Sequence, residues 1–257
     1  GKLSVEVSRT GIDVKAYGGK YYINTANAYT SYYYGVAVKD TYAEEAGALL
    51  KALMDNNYQE LDSYKYATGA SSGDIEEVLK AKLEVGKEYV VYAIQEYAQS
   101  FTLDDLVLAY YSPVEVSILE DESKRTAYNV TITVDVLGAD SYVAFAMPSQ
   151  YCETEDDIEY RKEEAIYFLS NGEYYGKHYK ESYVGSVLDI AAGTQFSMTG
   201  LYQPNSKVHL FVLPLDGRPL DAYTTADVVV KTFKTNPLSS GGAINVSVEQ
   251  VSSYIGN

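Results

Sequence analysis

Two kinds of hydrophobic spacing follow one another along the chain, and the succession occurs twice. Tyr21, Ile23 and Thr25 stand at every second position with polar residues between them, the period of a strand with one buried face. Tyr33-Tyr34-Gly35-Val36-Ala37-Val38 is then a short apolar run of the kind a strand buried on both faces shows. After Tyr42 the period changes to that of a helix. Ala46, Leu49, Leu50 and Leu53 fall at i, i+3, i+4 and i+7, Thr41 and Glu44 have capping-box spacing, and Asp55-Asn56-Asn57 stops the run, which predicts a helix near residues 43–55.

The same order returns 109 positions later, Tyr33 matching Tyr142 and Tyr42 matching Tyr151. Val130, Ile132 and Val134 alternate, and Tyr142-Val143-Ala144-Phe145-Ala146-Met147 forms the apolar run. Thr154 and Asp157 then cap a helix near residues 155–170, with Ile158, Ala165, Ile166 and Leu169 on one stripe and Asn171-Gly172 as its stop. A third match sets residues 83–92 opposite 201–210, and closing strands are expected around 106–111 and 228–233. Residues 75–82 hold good helix formers, yet the repeat sets them against the alternating stretch 195–199, so strand is favoured for Leu79, Ala81 and Leu83.

The repeat divides the chain into a first module over 1–113 and a second over 114–237, with breaks at Ser112-Pro113 and Asn236-Pro237, where proline cannot donate to a ladder. Leu238-Ser239-Ser240-Gly241-Gly242 reads as a linker. Ile244-Asn245-Val246-Ser247-Val248 alternates as a strand that either begins a third module or docks on the second.

Composition agrees with two ordinary domains in 257 residues, 46% of them hydrophobic and 22% charged. A net charge of −16 argues against nucleic acid or an anionic lipid surface as partner. No stretch approaches the ~20 apolar residues of a membrane helix, so no membrane-spanning segment is expected. Cys152, the one cysteine, leaves no intrachain disulfide possible. Gly1-Lys2 has the look of a tag-removal scar, with an export signal or lipid-attachment cysteine expected upstream. The unusual feature is 28 tyrosines against 6 phenylalanines and no tryptophan, a composition suited to pleated surfaces whose side chains must meet both core and water.

Leu83-x-x-Gly86-x-x-Tyr89 resembles the stretch leading into the sixth strand of fibronectin type III domains, where the tyrosine makes a corner hydrogen bond. The second copy keeps Leu201 and Pro204 but has Val208 at the tyrosine position. With the inserted helices and the closing Thr232-Phe233-Lys234-Thr235, the whole resembles the tandem fibronectin-type repeats of surface lipoproteins from Bacteroidetes-type gut bacteria. That resemblance implies a mainly β protein of two tandem Ig/fibronectin III-like sandwiches, each with a helical insertion after its third strand. It also implies export and an outer-surface location through a lipid anchor.

Catalytic chemistry is sparse. His178 sits in a polar loop, His209 alternates with apolar strand neighbours, and Cys152 has no triad pattern around it. Asp104-Asp105, Glu120-Asp121-Glu122 and Glu153 with Glu155-Asp156-Asp157 supply carboxylates, but such runs at loops and helix starts are ordinarily solvated, and no calcium-loop pattern orders them. No catalytic residue, metal site or cofactor is expected. Tyrosine clusters are the better candidates for binding. In Tyr32-Tyr33-Tyr34 neighbours must face opposite sides of a sheet, so at least one of Tyr33 and Tyr34 belongs to the core. Tyr64 and Tyr66, and the loop residues Tyr174, Tyr175, Tyr179 and Tyr183, offer rings for a sugar or a protein. The expected protein is a monomeric, non-enzymatic surface module that binds a glycan or a protein or spaces other domains. A carboxylate-dependent glycoside hydrolase and a stalk or fimbria-like assembly subunit are the alternatives.

Overall fold

The computed structural model describes residues 11–139, 141–170, 186–191, 195–198 and 203–239. The chain is mainly β, with several antiparallel sheets and few helices. In the first half the strands are β1 (Ile12–Tyr17), β2 (Lys20–Thr25), β3 (Ser31–Val38), β4 (Lys65–Thr68), β5 (Ser71–Asp74), β6 (Tyr89–Gln95) and β7 (Val107–Tyr111). They form a three-stranded sheet in the order β1-β2-β5 and a four-stranded one in the order β4-β3-β6-β7. The second half has β8 (Glu115–Glu120), β9 (Val130–Leu137), β10 (Ser141–Pro148), β11 (Ser186–Ala191), β12 (Gln195–Met198), β13 (Lys207–Leu215) and β14 (Val229–Lys234). Its sheets run β12-β9-β8 and β11-β10-β13-β14, the same orders with every strand replaced by its counterpart.

The apolar runs have a direct cause. In β6, Tyr89, Val91 and Ala93 join the core shared with Tyr21, Ile23, Tyr32, Tyr34 and Val36, while Tyr92 and Ile94 face the other way. That second face is covered by helix α1 (Tyr42–Met54), whose Ala46, Leu49, Leu50 and Leu53 sit on it. A strand roofed on both sides has no solvent face, so it carries apolar residues without alternation. Around β13 the same division holds: Val208, Leu210 and Val212 pack with Val130, Ile132, Val134, Tyr142 and Ala144, and Phe211 and Leu213 pack with Val143, Phe145 and Ala165 on the opposite side. Ala165 belongs to the later long helix, which spans Glu155–Ser170.

Several of the buried tyrosines keep their hydroxyls hydrogen-bonded, whereas that of Tyr142 is buried without a partner among the described residues. The Tyr21 and Tyr34 hydroxyls are 3.0 Å apart across the two sheets, and Tyr32 donates to the Gly69 carbonyl at 2.8 Å. Tyr89 makes the corner bond, its hydroxyl accepting from the Glu84 N–H at 2.9 Å across a turn in which Gly86 has φ of 89°. A positive φ there suits glycine, which has no Cβ to strain.

The strand expected over Leu79, Ala81 and Leu83 is not formed. On the side away from β1 the ladder partner of β2 is β5, Ser71–Asp74, which carries no apolar side chain, and Ile75–Leu79 is helical, ending at Lys80 with φ of 59°. The short strand needs only backbone pairing. Ile75 closes the end of the core with no exposure, which lets the helix formers after Asp74 follow their own propensity. In the chain order of helices, Tyr42–Met54 is α1, a single turn over Tyr58–Leu61 is α2, Ile75–Leu79 is α3 and Glu155–Ser170 is α4.

The halves meet at Arg218, in the loop after β13. Its guanidinium donates to both carboxylate oxygens of Asp216 at 2.9 and 2.7 Å and pairs with Asp227 at 3.0 Å. It lies 4.8 Å from the Tyr223 ring centre and 5.3 Å from that of Tyr17, which ends β1 in the first half and stacks on Tyr22 at 4.5 Å. A Cβ on Gly18 would come within 3.6 Å of the guanidinium. The stretch expected to form a linker and strand beyond residue 237 lies, except for Leu238 and Ser239, outside the described residues.

Candidate functional site

A groove opens beside the end of α1 because the chain reverses there in very few residues. Asn56 adopts φ of 47°, and the Asn57 side chain accepts from the Glu60 N–H at 3.3 Å, capping α2. Leu61 anchors that turn in the core, and Tyr58 is thrown outward, 72% exposed. Opposite, β6 ends at Gln95 and the chain leaves the sheet through Glu96, Tyr97, Ala98 and Phe101, with Tyr97 84% exposed. Tyr33 lies at the same place on the outer face of β3. Together these segments line a groove of about 370 Å3, with Leu53 and Leu61 as apolar contacts and Asn56 and Glu96 as polar ones. That volume is at the small end of the range for ligand clefts, ~300–1,000 Å3.

Tyr66 on β4 stands beside the groove. Its ring centre is 5.0 Å from that of Tyr33, tilted by 59°, and its hydroxyl donates to Glu96 Oε2 at 2.7 Å. The Tyr33 phenol is held above its ordinary pKa by burial first, then by the negative charge of Glu96, with Tyr66, Asp62 and Tyr58 adding to the effect. No lysine, arginine or histidine is among the residues lining the groove.

Of the tyrosines singled out in the sequence, Tyr66 is thus beside the groove. Tyr64 belongs to a separate, wider depression of about 530 Å3 with Thr41, Glu44, Glu45 and Tyr92, where burial and then Glu60 and Glu45 raise its pKa. Tyr174, Tyr175, Tyr179 and Tyr183 lie outside the described residues, as does His178. Tyr32 and Tyr34 are core, and Tyr33 faces the other side, as strand geometry requires. Tyr58, Tyr97, Phe101 and Glu96 were not singled out. Their only local signal is position, an aromatic just after a helix stop or a strand end, where loops place side chains toward solvent.

The carboxylate runs are occupied with local structure. Glu120 forms a two-pronged pair with Arg125 at 2.6 and 2.7 Å. Asp105 accepts from Thr102 at the start of a short turn, and Asp157 accepts from the N–H groups of Glu153 and Thr154 at 3.0 and 2.9 Å, closing the capping box of α4. Among the described residues no group of three or more histidine, cysteine or carboxylate side chains could hold a metal ion. Cys152 is buried, and burial pushes its thiol up rather than toward the reactive thiolate.

His209 is buried in β13 with Nδ1 at 2.8 Å from the Thr232 hydroxyl. Burial pushes its pKa below 6.5, Lys207 adds to the fall, and a hydrogen bond to the Cys152 backbone opposes it. The unfolded chain therefore takes up this proton near pH 6.5 and the folded one only at lower pH. The neutral ring's contribution to stability is complete above that value and is lost as the pH falls toward the folded pKa. His209→Gln is expected to lose less unfolding free energy than the parent between about pH 7 and about pH 5.5, the window in which histidine titrates. Urea titrations at the two pH values check this, and parallel losses would contradict it.

No family model matches the chain, and no curated protein matches it in sequence. Among solved structures it is similar to the chicken CNTN1 FN1–FN3 domains, at 9% identity and a TM-score of 0.29 over 88% of this chain. The match spans 65% of that structure's chain, just under two thirds of its length. Among the described residues no helix is long and apolar enough to cross a membrane.

Proposed function

We propose that the chain is a pair of tandem fibronectin type III-like modules serving as a non-enzymatic, exported surface protein that binds a glycan or a protein. The repeated strand order and the separate cores of the two halves support the modular part of this reading. The resemblance of the Leu83-to-Tyr89 stretch supports the type of module, and the resemblance of the repeats to surface lipoproteins supports export. The observation that carries the binding role is the groove, in which four aromatic rings and one carboxylate converge from three separate segments. Two of these rings, Tyr58 and Tyr97, are exposed, and such rings give large contact area for little lost side-chain entropy.

The Arg218 contact favours a spacer role alongside, since a buried guanidinium held from both halves limits their relative motion.

The test is binding to an immobilised panel of host and dietary glycans and cell-surface proteins, with the parent compared with the double variant Tyr58→Ala, Tyr97→Ala. Both rings are exposed, so the variant should fold normally. Stacking rings are typically worth ~1 kcal/mol or more each, so the expected loss of affinity is about tenfold or greater. A parent that binds and a double variant that binds equally well would remove the groove from the function.

A further inference from the structure

We infer that the groove receives a cationic side chain, an arginine or lysine presented by a protein partner. This rests on reading the chain as a binding module and specifies what the module takes.

The groove's composition selects for charge. The faces of Tyr33, Tyr58, Tyr97 and Phe101 carry the negative side of the ring quadrupole, and Glu96 is the one ionisable carboxylate among the lining residues. Tyr66 donates to one oxygen of Glu96 and so orients the carboxylate. Glu96 thus gives the groove one negative charge, and no lysine, arginine or histidine lines it to offset that charge. With a net charge of −16 over the chain, approach of a basic segment is favoured at long range as well.

The protein contains its own template for such a seat. Arg218 rests between the rings of Tyr17 and Tyr223 with Asp216 and Asp227 as its carboxylate partners. Elsewhere Lys39 lies over Tyr110, Arg161 over Tyr160 and Lys231 over Phe233. The groove assembles the same parts, tyrosine faces beside a carboxylate, and among the described residues no lysine or arginine of the chain lies over its rings. The 59° tilt between Tyr33 and Tyr66 does not make the flat platform that a sugar ring would stack on.

The experiment is an NMR titration of the intact chain with four probes: Nα-acetyl-arginine methylamide, its lysine and glutamine counterparts, and maltohexaose. The arginine and lysine probes should shift resonances of Tyr33, Tyr58, Tyr97 and Phe101, at least about tenfold more tightly than the glutamine probe, and less tightly as salt is added. Glu96→Gln keeps the acceptor for Tyr66 while removing the charge, and should weaken the cationic probes by about tenfold without altering the rest of the spectrum. Equal binding of the glutamine probe, or unchanged affinity in Glu96→Gln, overturns the inference. Maltohexaose shifting these resonances while the cations do not also overturns it, yet leaves the binding-module reading standing. No response at the groove to any probe, together with unimpaired panel binding by the Tyr58 and Tyr97 double variant, removes both.

Discussion

Arg218→Ala is expected to lower the unfolding free energy by about 3 kcal/mol, because removing one member of a buried pair leaves the other charge uncompensated. The Arg218 and Asp216 side chains are only 8% and 7% exposed, so water cannot easily take the guanidinium's place. Asp216 would lose both of its short bonds at once, and Asp227, at 22% exposure, would lose its ion pair. Arg218→Lys should recover only part of the loss, since an ammonium cannot reproduce the two-pronged geometry on Asp216. Denaturant unfolding followed by circular dichroism measures the change. Small-angle scattering on the same variant should show a broader range of shapes, because Tyr17 loses its partner from the other half. A destabilisation below about 1 kcal/mol, the range of surface pairs, would mean that this pair is hydrated and does not hold the halves together.

The second large effect is expected at Phe211, in the middle of β13. Its ring is wholly buried and stacks on Phe145 with centres 4.9 Å apart and planes 7° from parallel. Phe211→Ala removes that contact and leaves a cavity between the sheet and α4, at a cost of about 4 kcal/mol. Phe211→Leu keeps most of the volume and should cost less than about 1.5 kcal/mol. The place where the loss appears is as informative as its size. Among the described residues the Phe211 core draws none from the first half. If the halves are separate cooperative units, the alanine variant should unfold in two transitions, with resonances of Tyr89 and Val91 persisting after those of Val143 and Leu213 have collapsed. A single transition shifted as a whole would join the halves into one unit.

These effects also show what kind of information each level of description holds. The helical spacing of Ala46, Leu49, Leu50 and Leu53 predicted a helix near 43–55, and the chain is helical over Tyr42–Met54. Thr154 and Asp157 predicted a capped start, and the reciprocal bonds are there. Tyr89 makes the corner bond that the resemblance of the Leu83-to-Tyr89 stretch to fibronectin type III domains implied. Each of these depends on residues within a few positions of one another, so their geometry is nearly decided by local sterics and hydrogen bonding. Where a local preference competed with a long-range match, at residues 75–82, the inferred register of the repeat was misleading. The second partner of β2 turned out to be a four-residue strand, Ser71–Asp74, that no hydrophobic pattern marks.

Of the residues at the groove, Tyr66 was among those expected to offer a ring to a ligand, whereas Glu96, which accepts from it, was not, and nothing local to either residue pairs them. Tyr58, Tyr97 and Tyr33 become neighbours only because β3 lies between β4 and β6 and the turn after α1 folds back over that edge.

By itself, then, the order of residues determined the succession of alternating strands, buried apolar strands and capped helices, in an order that the two halves repeat. All of these follow from spacing and composition, which act over one or two turns of chain. The tertiary structure alone decided which rings converge with which carboxylate, and that Arg218 meets Tyr17 from more than 200 positions away. Such contacts are selected by the packing of whole sheets, in which burial of the core sets the distances and the side chains at the edges take the neighbours that packing assigns to them.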